Sequence, residues 1–252
     1  MSGGSKVITQ IYEIQTPREA EAVIALGVDH IGSVLLSKED WKVSSVRQVG
    51  ETSRKAGRAH SVIPLFEDIN TLLRTIDYYR PDLLHFCDAL DGKTEKADAW
   101  KHHVETQARI KKQYPTLRLM RSIPIPPPSV KPDCSILDLA REFEAVSDYL
   151  LIDTWSADTS PFPYIGITGR TCNWDTAKKL VTTSRLPVVL AGGLSPENVY
   201  QAVKRVKPFG VDSCTMTNLR DENGTVLRFK KDLKRVKSFM DEVRRAERDF
   251  PR

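Results

Sequence analysis

The feature that most constrains this chain is an unbroken alternation of short apolar runs with longer segments of helical spacing. Buried-strand patterns occur at Val7 to Tyr12, His30 to Leu35, Ser61 to Phe66, Leu83 to Cys87, Leu117 to Ile123, Tyr149 to Asp153, Pro187 to Ala191 and Val211 to Thr215. Helical periodicity fills the gaps near 17–26, 45–56, 68–79, 95–113, 135–146, 174–183 and 196–206, with a last helix near 230–248. Strands separated by helices must pair in parallel, because each connection is a crossover. Eight such units in 252 residues is the arithmetic of a (β/α)8 barrel. The expectation is therefore a single α/β TIM barrel over residues 1–252, with 1–5 flexible.

Local signals support the helix starts. Thr16-Pro17-Arg18-Glu19 places an N-cap threonine before an N1 proline, with Glu19 three residues on to complete a capping box. Ser195-Pro196-Glu197 predicts a second start, and Leu233, Val236, Met240 and Val243 form one apolar stripe on the last helix. The exception to short loops is the proline-rich segment 124–134, whose prolines predict a stiff loop at the C-terminal mouth and exclude ladder or helix. A proline-rich tract is also a ligand for other proteins, which is the alternative for this segment.

Composition excludes several classes. No apolar run approaches the ~18 residues of a membrane span, and the start lacks a signal peptide's apolar stretch, so a cytoplasmic, membrane-free protein is expected. The net charge of +5 is carried by Arg228 to Arg252, which holds ten Lys/Arg against five Asp/Glu. A solvated terminal helix accounts for that excess, and no nucleic-acid partner is expected. Cys87, Cys134, Cys172 and Cys214 form no C-x-x-C pair and read as reduced thiols. His30, His60, His102 and His103 show no metal-ligand spacing, His102-His103 reads as a solvent-facing pair, and no motif suggests a nucleotide cofactor.

Two stretches carry chemistry. At Val188 to Val199 a buried strand runs into Gly192-Gly193 and then a helix, which fits either a tight turn or a backbone cradle for an anion. At Gly166 to Trp174, small residues and Arg170 precede a helix, which fits a passive loop or a lid offering a guanidinium to a charged ligand.

Together these stretches resemble the phosphoribosylanthranilate isomerase family, ribulose-phosphate-binding barrels of tryptophan biosynthesis. The family's G-G-T-G-K-T-F-D-W is similar to G-I-T-G-R-T-C-N-W at Gly166 to Trp174, and L-A-G-G-L-x-P-E-N-V is met in full by Leu190 to Val199. The closing K-D-x-x-K-[IV]-x-x-F resembles Lys231, Asp232, Lys234, Val236 and Phe239, and G-A-D-x-I-G-F-V-F resembles Gly27 to Leu35. The resemblance implies a phosphorylated small-molecule ligand held by Gly192, Gly193, Asp212 and Thr215, with Arg170 nearby. It also implies an Amadori rearrangement of an aminoaldose to a ketose, with Asp153 as general acid.

The pattern breaks elsewhere. In the family's K-I-C-G-I-T the cysteine is the general base, and Tyr12 stands in its place within Gln10-Ile11-Tyr12-Glu13-Ile14-Gln15. A phenol, with a pKa near ~10 against ~8.5 for a thiol, is a poor substitute. Trp41 replaces the arginine that holds the anthranilate carboxylate, and an indole cannot pair a carboxylate bidentately. On the fourth strand V-Q-L-H-G becomes Leu84-His85-Phe86-Cys87-Asp88, which offers His85 either as a proton-transfer group or as a hydrogen-bonded structural histidine. Glu13 would point off the inner face of a regular strand. Met216 takes a glycine position of the eighth strand's pattern. The expectation is a barrel that binds a phosphorylated ligand with weak or lost isomerase activity. The alternatives are a non-catalytic ligand- or protein-binding barrel and a working isomerase with a replaced base.

Overall fold

The computed structural model describes residues 6–88, 90, 100–130, 136–155, 164–166 and 169–251. Eight parallel strands close in sequence order, β1 (Ile8–Ile11), β2 (His30–Leu35), β3 (Ala59–Pro64), β4 (Leu83–Phe86), β5 (Arg118–Ile125), β6 (Tyr149–Thr154), β7 (Val188–Leu190) and β8 (Gly210–Ser213). The ring shuts where Gln10 of β1 faces Asp212 of β8. Helices α1 (Pro17–Ala25), α2 (Ser44–Lys55), α3 (Ile69–Tyr79), α4 (Lys101–Gln113), α5 (Ile136–Glu144), α6 (Trp174–Thr183), α7 (Val199–Val206) and α8 (Leu233–Asp249) follow the strands in turn. The expected TIM barrel is the fold observed.

The strands form because both of their faces are covered. Outward residues such as Ile31, Val211 and Ile152 pack with Val23, Phe143 and Phe239 of the helices. Alternate residues point inward, and Leu83, Met120, Leu151, Val189 and Ala191 make a separate apolar core there. Above it lies a polar layer. Tyr12 reaches across β2 to place its hydroxyl 2.6 Å from Ser61 Oγ and 2.8 Å from His85 Nδ1, while His85 Nε2 lies 2.8 Å from Ser122 Oγ. Gly32 makes that reach feasible, since a Cβ there would stand 2.2 Å from the Tyr12 ring.

Several expectations are corrected. Pro124 and Ile125 belong to β5, with Pro124 opposite Asp153 of β6. Proline is tolerated because the β4 side of the ladder ends at Phe86–Arg121, leaving one neighbouring strand. Residues 131–134 of the proline-rich segment, 95–99 of the fourth helical pattern and the terminal 1–5 lie outside the described residues. The seventh helix starts at Val199 instead of Pro196, because Ser195 and Asn198 bond each other in a turn: Ser195 N–H donates to Asn198 Oδ1 at 2.9 Å. Thr16 does cap α1, accepting from Glu19 N–H, but the Glu19 carboxylate accepts from Lys231 N–H at 2.7 Å. Leu233 is 43% exposed, off the buried stripe of Val236, Met240 and Val243.

The largest surprise is an antiparallel hairpin, β9 (Asn218–Arg220) and β10 (Val226–Lys231), between β8 and α8. It fills a stretch to which the sequence pattern assigns no element, and takes only Lys230 and Lys231 from the expected last helix. Its turn contains Asn223-Gly224, with Gly224 at φ 80°, a strong short-range hairpin signal.

Candidate active site at the barrel mouth

Two cavities open at the C-terminal ends of the strands. The larger, about 540 Å³, is lined by Tyr12, Glu13, His85, Asp153, Asp212 and Arg228 among others. The smaller, about 300 Å³, lies between Gly169, Gly193 and the segment Ser213 to Met216, and shares Asp153 and Asp212 with the first. The fold thus gathers Tyr12, His85, Asp153, Asp212, Gly193 and Thr215 at one mouth. Thr215 opens a short 3-10 turn, and Met216 borders the same cavity.

Asp153 is the next-to-last residue of β6, and its carboxylate accepts from Thr154 N–H at 2.7 Å. Burial outweighs that hydrogen bond and the one from the Gly192 amide, raising its pKa to about 7. Gly166 lies against it at φ 105°, where a Cβ would come 2.3 Å from Asp153 Oδ2. Asp212 accepts from Gln10 Nε2 at 3.1 Å, and burial together with the charge of Asp153 raises it to about 8. The half-buried Asp153 and the buried Asp212 are thus coupled through the charge of Asp153, and such carboxyls titrate as a pair.

His85 is different. Burial pushes it down to about 3 with Arg121 adding to the effect, so it is a neutral imidazole bonded at both nitrogens. Burial raises the Tyr12 phenol well above its ordinary range, and the Cys87 and Cys214 thiols likewise.

Gly192 sits at φ 80° with its missing Cβ against Thr154 Oγ1, and Gly193 at φ 58° with its missing Cβ against the Gly169–Arg170 backbone. The paired glycines therefore let the loop after β7 touch the loop after β6, and Thr154 Oγ1 donates to Arg170 O at 2.7 Å. The Arg170 side chain is exposed. Trp41 lines neither cavity. It packs beside α3, with Arg74 over its ring at 4.7 Å and its carbonyl accepting from Tyr79 Oη.

Glu13 is the residue that sequence reasoning misplaced. β1 ends at Ile11 and Glu13 takes a left-handed φ of 65°, which turns its side chain to the mouth, 1% exposed. Its carboxylate accepts from Asn218 Nδ2 at 2.6 Å and Arg228 Nε at 2.7 Å, partners that hold it below the usual carboxylate range despite burial. The family pattern has glycine at this position, which was the available signal. Among the described residues one further group needs correcting. His103 is not solvent-facing: it turns toward Asp88, and with Glu67 the three donor atoms lie within 4.8 Å of one another. The buried guanidinium of Arg121 already pairs with that Asp88 carboxylate at 3.0 Å.

A closed barrel with paired carboxyls and a glycine-lined cavity at its mouth has the architecture of a small-molecule (β/α)8 enzyme. The family model for N-(5'-phosphoribosyl)anthranilate (PRA) isomerase matches residues 90–218. The N-(5'-phosphoribosyl)anthranilate isomerase of Methanocella arvoryzae is 34% identical over 238 residues, covering 91% of this chain and 94% of that protein. This chain belongs to the phosphoribosylanthranilate isomerase family. In fold it is similar to the Thermotoga maritima phosphoribosylanthranilate isomerase in its monomeric form, with a TM-score of 0.67 at 18% identity over 94% of this chain and 98% of that one. A phosphoribosylanthranilate isomerase solved with reduced 1-(o-carboxyphenylamino)-1-deoxyribulose 5-phosphate superposes with a TM-score of 0.64 at 19% identity, over 94% and 98% of the two chains. The M. arvoryzae relative carries an isomerase name, and the expectation of weak or lost activity draws no support from it.

Proposed function

We propose that the chain is an aldose–ketose isomerase acting on a phosphorylated aminoaldose, with the carboxyl pair Asp153 and Asp212 in place of the family's thiolate and acid. The observation that carries this reading is the pair itself: the half-buried Asp153 and the buried Asp212 line both cavities of one mouth and are raised to about 7 and about 8. Near neutral pH one carboxyl holds a proton while the other is ionised, which is what the reaction requires. The protonated member gives its proton to the ring oxygen as the sugar opens to an iminium. The ionised member then takes the proton from the neighbouring carbon, leaving an enolamine that becomes the ketose, so that no proton is gained or lost overall. With Asp212 the higher of the two, it is the protonated member near neutrality and serves as acid, with Asp153 as base, the reverse of the role that the family resemblance implies for Asp153.

The phosphate fits the smaller cavity, where Gly193, Leu194 and the turn from Ser213 to Met216 converge. Phosphate there would meet backbone amides, as is usual for the last two loops of such barrels. His85 and Tyr12 serve in this reading as a neutral hydrogen-bonded floor.

A non-catalytic phosphosugar-binding barrel is the second reading, favoured by Tyr12 filling the strand-one position. Direct kinetics on N-(5'-phosphoribosyl)anthranilate separate the two. Turnover that falls by about 10²–10⁴-fold in Asp153→Asn supports the isomerase, and absence of turnover in the parent with retained phosphosugar binding supports the second.

A further inference from the structure

The hairpin between β8 and α8 brings a cation to the mouth. Among the described residues that line the larger cavity, Arg228 is the one with a fixed positive charge, facing the acids Glu13, Asp153 and Asp212. Its Nε and Nη2 both approach Glu13 Oε1, at 2.7 and 2.6 Å. That edge of the guanidinium is occupied, and the Nη1 edge is turned away from Glu13. The burial is asymmetric: the Glu13 side chain is 2% exposed and that of Arg228 38%. The acid is an anchor within the wall, and the cation faces the opening.

The backbone around this pair is strained in a way the fold does not otherwise require. Four described non-glycine residues have positive φ: Glu13, Arg80, Lys207 and Phe229. Arg80 and Lys207 end α3 and α7, where a left-handed cap is ordinary. Glu13 and Phe229 end no helix, and they are joined, since Phe229 N–H donates to Glu13 Oε2 at 3.2 Å. Strain of this kind persists where surrounding structure over-determines it, and it concentrates at functional sites. The surroundings here do so. Asn218 of β9 binds both Glu13 and the buried Lys231, and the Lys231 ammonium donates to Cys214 O at 2.9 Å. Both hairpin strands are thereby fastened to the mouth, and Arg228 extends over its own Phe229 ring at 4.8 Å.

We propose that Arg228, held by Glu13, reads the carboxylate of the ligand in this chain, taking over, from the hairpin, the role of the arginine that Trp41 replaces. This rests on the reading that phosphate occupies the smaller cavity, which leaves Arg228 for a second anionic group in the larger one. A guanidinium held along one edge by a carboxylate presents its remaining donors in a fixed plane, suited to a planar carboxylate. Trp41, packed away on α3, supplies no charge to this task.

The test compares two probes on the full chain by calorimetry: reduced 1-(o-carboxyphenylamino)-1-deoxyribulose 5-phosphate and its analogue lacking the ring carboxylate. The expected result is a preference of about tenfold or more for the carboxylate-bearing probe. Arg228→Met should bring that ratio close to one while leaving the affinity for the analogue within about twofold, and Arg228→Lys should give an intermediate ratio. Glu13→Gln should lower the ratio without abolishing it. An unchanged ratio in Arg228→Met, or a parent that binds both probes equally, overturns the inference while the phosphate reading stands. A parent that binds neither probe overturns both. Should Arg228→Met fail to fold, Arg228→Lys decides alone, and a parent-like ratio in it overturns the inference.

Discussion

Placing a methyl group on Gly32 tests whether Tyr12 lies across the barrel as described. An alanine Cβ would stand 2.2 Å from Tyr12 Cδ1, 2.5 Å from Cε1 and 2.6 Å from Cγ. The ring has little freedom to step aside, because its hydroxyl is tied to Ser61 and His85. Overpacking of this kind costs about 1–3 kcal/mol, so Gly32→Ala should destabilise the parent by that amount. Tyr12→Cys removes the ring and strands the His85 and Ser61 polar atoms, at a cost of about 3–5 kcal/mol. In the double variant the methyl enters the vacated space, so the two costs should sum to less than their separate values by about 1–3 kcal/mol. Urea unfolding of the four proteins measures this, with free energies taken by linear extrapolation. Costs that add to within about 0.5 kcal/mol would refute the close approach of Tyr12 to Gly32 and the interior hydrogen-bond chain built on it.

Two further outcomes follow from the same layer and its neighbours. Burial depresses His30 to about 4 and His60 and His85 to about 3, so the folded state binds fewer protons there than the unfolded chain does. Their contribution is complete above the ordinary histidine range near ~6.5 and is lost as pH falls toward those values, at up to about 1.4 kcal/mol per pH unit for each; urea midpoints at pH 7 and pH 5 should differ, and equal midpoints would contradict neutral buried imidazoles. Gly166→Ala meets both a φ of 105° and the Asp153 carboxylate, so turnover should fall by about 10²-fold through displacement of that group, and parent-like kinetics would show that Asp153 is not positioned by this glycine.

Much of the barrel was legible because its signals are local. Buried strands such as Val188–Leu190 are continuous apolar runs, and the pattern at 174–183 coincides with α6 to the residue. What escaped depends on tertiary context. Pro124 enters β5 because its neighbour on one side has ended, which no local rule encodes. The hairpin from Asn218 to Lys231 has exposed, charged strands that bury no continuous face, so periodicity gave no strand signal and only Asn223-Gly224 marked the turn. Glu13 escaped for a backbone reason: period-two alternation sends it outward, and the left-handed turn after Ile11 brings it back to the mouth. The Asp153–Asp212 pair was half visible. Each residue matched a family position, but the effect of the Asp153 charge on Asp212 arises only when β6 and β8 bring the two to one mouth.

The central claim is that Asp153 and Asp212 act as one acid–base pair, and the pH dependence of kcat/KM on N-(5'-phosphoribosyl)anthranilate tests it most directly. A pair raised to about 7 and about 8 is active with one proton bound, so the profile should be bell-shaped with its maximum near those values. Asp212→Asn should leave at most one flank and lower the maximum by about 10²–10⁴-fold, with Asp153→Asn comparably impaired. A profile flat from pH 6 to pH 9 in the parent, or either asparagine variant retaining parent-like kcat/KM, would contradict the account.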